Sequence, residues 1–484
     1  MLKPLFVPVV ALTIFSAVSL CAQTGGGSDA ERLERLERAV QLLQQQNDEL
    51  KRELRRLKGD RKPEPSSEIT ATKPEAAPAA PPAPDKNVAD ATPANEKKKS
   101  VTVYAAGSEL KLTLGGFIQT QFEAGDVFAF EGRFGTGAAE IKDRFRIRRS
   151  RITVVGEFAE QFDFKLEGEF NQTDVGFTVR DASGRTLGSN ATRTAFGATD
   201  LFANWHAIPE MNVKVGQFKA PFGLEQLTSD TKLFAIERSL VTTALTPERQ
   251  IGIMLWGKPL THVWPEQKDL VNYSVGVFNG TGRNITVNDN NEFMYVGRVE
   301  VQALRSKILN QEATLKLGAN AFSSRDDAGS TISGVLRENS DGSLSSFNLP
   351  SPAERTAYGA DAALRIGPFD LVGEYISERI GTRRVAGAAP LFTGFRADGY
   401  YIQPSYFLIP TKLQLMAKWE SFNPGQFSDD DIHSITAGVN YYLKGDEIKL
   451  LANYIHTWSA FRDNNAAFGQ DEFDEVIVRL QLMF

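Results

Sequence analysis

From Leu110 onward, apolar and polar residues alternate along the chain. Leu110, Leu112, Leu114, Ile118 and Phe122 share one parity, while Lys111, Thr113, Gln119 and Gln121 take the other. The split recurs at Phe162, Phe164, Leu166 and Phe170 against Asp163, Lys165, Glu167 and Glu169. It returns at Val476, Val478, Leu480, Leu482 and Phe484 against Ile477, Arg479, Gln481 and Met483. A period of two predicts strands with one apolar face. Sixteen such segments are predicted, at 110–122, 143–158, 162–171, 199–208, 211–221, 250–258, 270–279, 293–303, 312–322, 355–366, 369–378, 397–408, 411–421, 432–443, 447–457 and 473–484.

The connections on one side are mostly tight, as at Ala159–Gln161, Gly367–Pro368, Pro410 and Gly445–Glu447. Those on the other include long Gly, Asp, Asn and Ser stretches at 323–354 and 379–396. A water-soluble sandwich would alternate too, but it would not need so polar a face on every strand, nor this asymmetry of turns. Lipid outside and a wet lumen inside account for both. Residues 101–484 are therefore expected to form an all-β, 16-stranded antiparallel transmembrane barrel, with both of its ends on the short-turn side.

The first hundred residues divide differently. Lys3 followed by a mostly apolar run from Leu5 to Leu20 predicts a secretory signal peptide over 1–22, too short to span a bilayer comfortably. Cys21 lacks the small preceding residue of a lipoprotein acceptor, and cleavage after Ala22 would remove the chain's single cysteine. Within 29–58, Leu33, Leu36, Val40, Leu43, Asn47, Leu50, Leu54 and Leu57 follow a 3-4 spacing without a slip. That seam is too narrow for a globular core and predicts a coiled coil about 42 Å long, with Asn47 setting register at an a position. Residues 59–100 turn to Pro, Ala, Glu and Lys, including "AAPAAPPAP", the composition of an extended linker.

Charge changes the picture in one place. The chain carries a formal charge of −6, yet residues 144–152 read "RFRIRRSRI". Phe145 and Ile147 have one parity and Ile152, Val154 and Phe158 the other. A β-bulge near Arg148-Arg149-Ser150 reconciles the halves and turns Arg144, Arg146, Arg148, Arg149 and Arg151 inward together. Without it some of them would face hydrocarbon, at about 2–4 kcal/mol each. A hairpin centred on Glu160 sets Arg151 opposite Glu169 and Thr153 opposite Glu167, so some arginines are expected to pair with wall carboxylates. Arg144, Arg146 and Arg148, nearer the long-loop mouth, have fewer expected acidic neighbours. Contact with permeant anions and pairing within the wall both stand as roles for this column. The four histidines, His206, His262, His433 and His456, fit no metal or nucleophile–base spacing, and neither a cofactor, a metal, an enzymatic function nor a nucleic-acid partner is expected.

Several stretches carry a resemblance. "FRIRRSRI", "VKVGQFKAPFGLEQLTSD", "FAIERSL", "RQIGIML", "YSVGVFNGTG", "GPFDLVGEY", "ITAGVNYYL" and the closing "RLQLMF" follow in an order that resembles the phosphate-selective porin O and P family. The resemblance spans nearly the whole barrel, and "GQFKAPFGLE" is its most specific piece. It implies a homotrimeric channel in the outer membrane, surrounded by lipid and lipopolysaccharide, passing small anions past basic residues of the lumen and of an infolded loop. Residues 224–250 form the third long-side connection, which in such porins narrows the pore; Arg238 and Arg249, with Lys219 just before, are candidate constriction cations. The final strand ending on Phe484 resembles the closing strand read by the barrel-assembly machinery. The coiled coil lies outside the family pattern and is expected in the periplasm, where a tether to peptidoglycan is an alternative role.

Overall fold

In a computed structural model of the chain, the described residues run from Val101 to Phe484, except for 106–107, 127–142, 171–177, 181–185, 190–196, 289, 329–330, 339–343, 384–388, 390, 426–430 and 465–470. The expected signal peptide, coiled coil with Asn47, and linker lie outside the described residues.

Sixteen antiparallel strands form a closed ring. They are β2 (Ser108–Gly125), β3 (Arg144–Phe158), β4 (Phe162–Glu169), β7 (Gly197–Trp205), β8 (Asn212–Lys219), β9 (Arg249–Gly257), β10 (Val271–Phe278) and β11 (Met294–Ile308). The ring continues with β12 (Gln311–Asp326), β15 (Ala353–Ile366), β16 (Phe369–Thr382), β17 (Phe395–Ile409), β18 (Leu413–Asn423), β19 (Ile432–Lys444), β20 (Ile448–Ser459) and β21 (Glu472–Met483). Each pairs with the next, and β21 closes on β2 from Phe117↔Met483 to Gly125↔Glu475. A short strand not foreseen in the sequence, β1 (Val101–Ala105), covers the lower edge of β2 at Ser108–Leu112, below the point where β21 ends. Two small hairpins, β5–β6 (Thr178–Arg180 and Thr186–Ser189) and β13–β14 (Thr331–Glu338 and Leu344–Asn348), sit within long connections.

Tight turns join strands at one end. Ala159 and Glu160 have φ of 51° and 59°, and Leu309 and Asn310 have 50° and 61°, paired left-handed residues as in a two-residue hairpin loop. The connection 258–270 is longer than expected for this end and contains one turn of 3-10 helix at Pro265–Gln267. Phe484 continues the seam: its amide and carbonyl both bond Gly116, each at 3.0 Å. Gly116 has no room for a side chain there, since a Cβ would lie 2.9 Å from the Phe484 ring and 2.4 Å from the Arg151 carbonyl.

Burial inverts the usual globular order. Ile118, Ile152, Leu166, Val215, Val275 and Leu480 are exposed on the outer face, while Gln119, Gln121, Lys165, Asn440, Lys449 and Gln481 are buried within. An aromatic band of Tyr358, Tyr375, Tyr400, Trp419 and Tyr454 lies on the outer face toward the long-loop end, as at a membrane–water boundary.

The third long connection, 220–248, enters the barrel. It carries two short helices, α1 (Leu224–Leu227) and α2 (Leu240–Leu245). Around α2 the inner wall is apolar rather than wet: Phe222, Val241, Ala244 and Leu245 are buried with Phe218, Met254, Phe278, Phe322, Ile376 and Phe422. This differs from the expectation of a polar inner face on every strand, because the loop brings its own apolar surface. Its backbone groups, removed from bulk water, are answered by wall side chains. The Glu374 carboxylate accepts from the Leu224 and Glu225 amides at 2.8 and 3.1 Å, and Glu420 accepts from the Leu240 amide at 2.6 Å. Both side chains take amides that the start of a helix leaves unpaired. At the far end of α1, Lys219 donates to the Gln226 and Thr228 carbonyls (2.6 and 3.0 Å), and Arg238 donates to Thr228 at 2.9 Å. Between the helices, Gln119, Gln481 and Asn440 donate to the carbonyls of Asp230, Thr231 and Phe234, while the Ile236 amide donates to Asn453 at 2.7 Å. Ile236 itself packs on Leu451, Ile455 and Ile477.

Replacing Asn453 by Leu strands the buried Ile236 amide, at about 1–3 kcal/mol. The variant is expected to melt earlier and to conduct with larger or noisier single-channel steps, while its circular dichroism remains that of the intact barrel. Unchanged melting and unchanged steps would count against the loop being held through this wall contact.

Candidate functional site in the barrel lumen

The column on β3 is built by a bulge. Against β2 the register runs from Gln119↔Arg149 directly to Thr120↔Ile147, leaving Arg148 as the extra residue. Phe145, Ile147 and Ile152 stay on the lipid side as exposed residues, and the arginines meet lumen-facing carboxylates. Across the hairpin, Arg151↔Glu169 and Thr153↔Glu167 are partners in the register.

Two groups emerge along this column. At the long-loop end, Arg144 and Arg146 lie 2.5 and 3.5 Å from Glu123. Arg148 grips Glu237 of the infolded loop through Nε and Nη2 at 2.8 and 3.1 Å. These three therefore have acidic neighbours that strand counting did not anticipate, one across the β2–β3 pair and one brought in by the loop. They nonetheless keep 20%, 17% and 27% of their side-chain surface in water. Deeper in, Arg149 and Arg151 keep only 7%. Arg149 lies 3.7 Å from Asp230 and 3.5 Å from Glu237, and it donates to Gln119 at 3.2 Å. Arg151 lies 2.6 Å from Asp230, 3.3 Å from Glu169 and 3.6 Å from Glu167, with its guanidinium 5.4 Å from the centre of the Phe117 ring.

The other candidate cations join the same network. Arg238 lies 2.6 Å from Asp230. Arg249 proves to be the first residue of β9 rather than part of the loop; it lies 2.7 Å from Asp200 and 3.9 Å from Glu167. Lys219 serves the loop carbonyls described above. Residues the sequence reading did not single out complete the cluster: Arg479 bonds Glu237 and Gln121, and Lys165 lies 2.7 Å from Asp200 and 3.0 Å from Glu167. Arg479 and Lys165 are each the one basic residue of their strand, the signal that could have marked them.

The two loop carboxylates are the hubs. Burial alone would push Asp230 up, but the guanidiniums of Arg238, Arg149 and Arg151 hold it well below the usual carboxylate range. Burial opposes ionisation of Glu237 in the same way, and Arg148, Arg479 and Arg149 overcome it, again holding the carboxyl well down. Both are ionised at neutral pH and act as fixed anions inside an arginine cage. Among the described residues no group of three His, Cys, Asp or Glu side chains could hold a metal ion.

The chain is 23% identical over 438 residues to Porin O of Pseudomonas aeruginosa, covering 80% of this chain and 91% of that one. It is likewise 23% identical over 400 residues to an uncharacterized protein of Aquifex aeolicus, covering 76% and 85%. Among solved structures, the loop L8 deletion mutant of OmpT from Vibrio cholerae aligns with a TM-score of 0.49 at 12% identity, covering 78% of this chain and 99% of that one. An anion-selective porin from Comamonas acidovorans aligns at 0.48 and 15%, covering 78% and 100%. The family described as phosphate-selective porin O and P matches residues 125–484, from the end of β2 through the arginine column and the infolded loop to Phe484, and the chain belongs to that family.

Proposed function

We propose that this porin sits in the outer membrane as a homotrimer and passes small anions, phosphate and other oxyanions among them, along Arg144, Arg146 and Arg148. The observation that carries the reading is the bulge at Arg148, which aims a continuous run of guanidiniums inward and leaves its outermost three partly exposed to water. A planar guanidinium binds an oxyanion through two parallel N–H bonds. The carboxylates beside the three keep such binding weak, as conduction requires. The family's description supplies phosphate as the expected oxyanion. Arg149, Arg151, Arg238 and Lys219 act in this reading by holding the infolded loop and Arg249 by pairing with Asp200 of the wall, with Glu167 and Glu169 as wall partners.

Replacing Arg144, Arg146 and Arg148 together by Glu is expected to move the planar-bilayer reversal potential in a salt gradient from the anion side to the cation side. A wild-type channel that already prefers cations would overturn the anion reading.

The loop's anchorage has a pH signature. Carboxyls whose folded pKa is depressed stabilise the fold fully above their unfolded pKa of about 4, and lose that contribution only as pH falls through the lower folded value. Asp230 and Glu237 should therefore hold the loop from neutral pH down through mildly acidic pH. Single-channel conductance is expected to change as these two carboxyls take up protons in acid below about pH 4. A transition centred near pH 6–7, the histidine range, would point to a different anchor.

A second reading concerns residues 29–100, whose unbroken 3-4 spacing suits self-association and whose linker suits a reach into the periplasm. Deleting them is expected to lower the yield of trimers on native gels. Full trimer yield with a weakened cell envelope and normal conductance would instead assign the segment to tethering on peptidoglycan.

A further inference from the structure

Two like charges face each other on the outer wall of the barrel. The register of β16 on β17 sets Arg379 directly opposite Arg396, and both side chains are exposed near the long-loop end. Like charges in directly opposed positions cost a sheet stability unless something of opposite charge lies between them. Two neighbouring arginines at the same rim have carboxylates: Arg325 lies 3.1 Å from Glu354 and 3.4 Å from Glu292, and Arg383 lies 3.3 Å from Asp327. Among the described residues neither Arg379 nor Arg396 forms an ion pair.

The pair stands just above the aromatic band. Tyr375 and Tyr400, four residues nearer the membrane centre on the same two strands, are likewise opposed. Arg396 leans toward the band: it donates through Nε to the Ser377 hydroxyl at 2.9 Å and through Nη2 to the Tyr358 hydroxyl at 2.7 Å, with its guanidinium 5.6 Å from the centre of the Tyr358 ring. Asp398, the next outward residue along β17, accepts from the Tyr375 hydroxyl at 3.2 Å. This is the depth at which lipid headgroups meet water. Below the tyrosines the outer surface dips. One row across β12, β15, β16 and β17 reads Leu317, Ala362, Gly373 and Ile402, so two residues with little or no side chain lie between two exposed aliphatic ones.

We propose that Arg379 and Arg396 hold a headgroup phosphate of an outer-leaflet glycolipid, the lipid A part of lipopolysaccharide, and that one of its acyl chains lies in the dip at Ala362 and Gly373. A phosphate monoester carries close to two negative charges and three acceptor oxygens, so one group accepts from both guanidiniums and turns their repulsion into attraction. Free phosphate matches the charged pair but has no use for the recess beneath it. A molecule that joins a phosphate to hydrocarbon matches both. The inference rests on the placement of the barrel in the outer membrane with its long loops outward, and not on the anion reading of the lumen.

The test titrates diphosphoryl lipid A, its dephosphorylated form and, separately, inorganic phosphate into the full-length protein in detergent, with bound molecules counted by native mass spectrometry. Wild type is compared with the double variant Arg379→Gln with Arg396→Gln and with Ala362→Leu, which fills the dip. Diphosphoryl lipid A should bind the double variant about tenfold more weakly than wild type, the loss expected when charge-assisted hydrogen bonds to one group are removed. Dephosphorylated lipid A should bind the two alike. Ala362→Leu should weaken both lipid forms several-fold and leave inorganic phosphate unaffected. Unchanged binding of diphosphoryl lipid A in either the double variant or Ala362→Leu would overturn the proposal. Inorganic phosphate binding wild type as tightly as the lipid does, and lost in the double variant, would assign the pair to the free ion and overturn it as well. If the double variant does not fold, Arg379→Gln alone should give a smaller loss in the same direction, and no loss there overturns the proposal.

Discussion

A chain segment folded into the middle of a barrel carries amides and carbonyls that water no longer serves, and each must find a partner in the wall. That requirement organises the interior. Inward polar residues that might only have wetted a lumen instead meet the loop: Glu374 and Glu420 at the helix starts, Lys219 at the carbonyl end of α1, Asn440, Asn453, Gln119 and Gln481 between. Where the loop is apolar the wall answers in kind, with Phe218, Phe278, Phe322 and Phe422 around α2. The polar face of this barrel is thus partly a binding surface for its own third connection.

The same connection decides what the arginines do. By supplying Asp230 and Glu237 it converts the inner end of the β3 column into a dry ion-pair network and leaves the outer end facing water. The barrel's net charge is therefore a poor guide to selectivity on the proposed reading. The lumen cations described above are engaged by carboxylates or carbonyls, and on β3 the outermost members keep the most side-chain surface in water.

Much of this was legible in the sequence, for reasons that can be named. All sixteen strands were recoverable because lipid on one side and polar groups on the other impose a period of two, and because a lipid-facing arginine is costly enough to demand the bulge at Arg148. The β3–β4 register followed from a short turn, which fixes pairing locally. The partners of the arginines were not legible. Arg151 meets Asp230 and Arg148 meets Glu237 across 79 and 89 residues of chain, along a path set by where the loop lies inside the barrel. Strand periodicity contains no information about that path. The apolar inner wall escaped notice for a related reason: Phe218, Phe278, Phe322 and Phe422 read as ordinary strand residues until the loop that covers them is in place.

Buried ion pairs of this kind add little net stability, because desolvating both charges offsets most of their attraction. Their effect lies in the alternatives they exclude. If the loop shifted so that Asp230 and Glu237 both left their cage, Arg149 and Arg479 would remain buried with their charge uncompensated, at about 3–5 kcal/mol for each broken pair. A loop held only by apolar contacts could slide along the wall at small cost, and the lumen's width would vary with it. Charge pairing instead gives the constriction one position, and it uses the strand whose outer arginines meet the solute on the proposed reading. Pore width and anion handling are then coupled through β3, so a substitution that frees an arginine for the solute also loosens the loop that sets the lumen beside it.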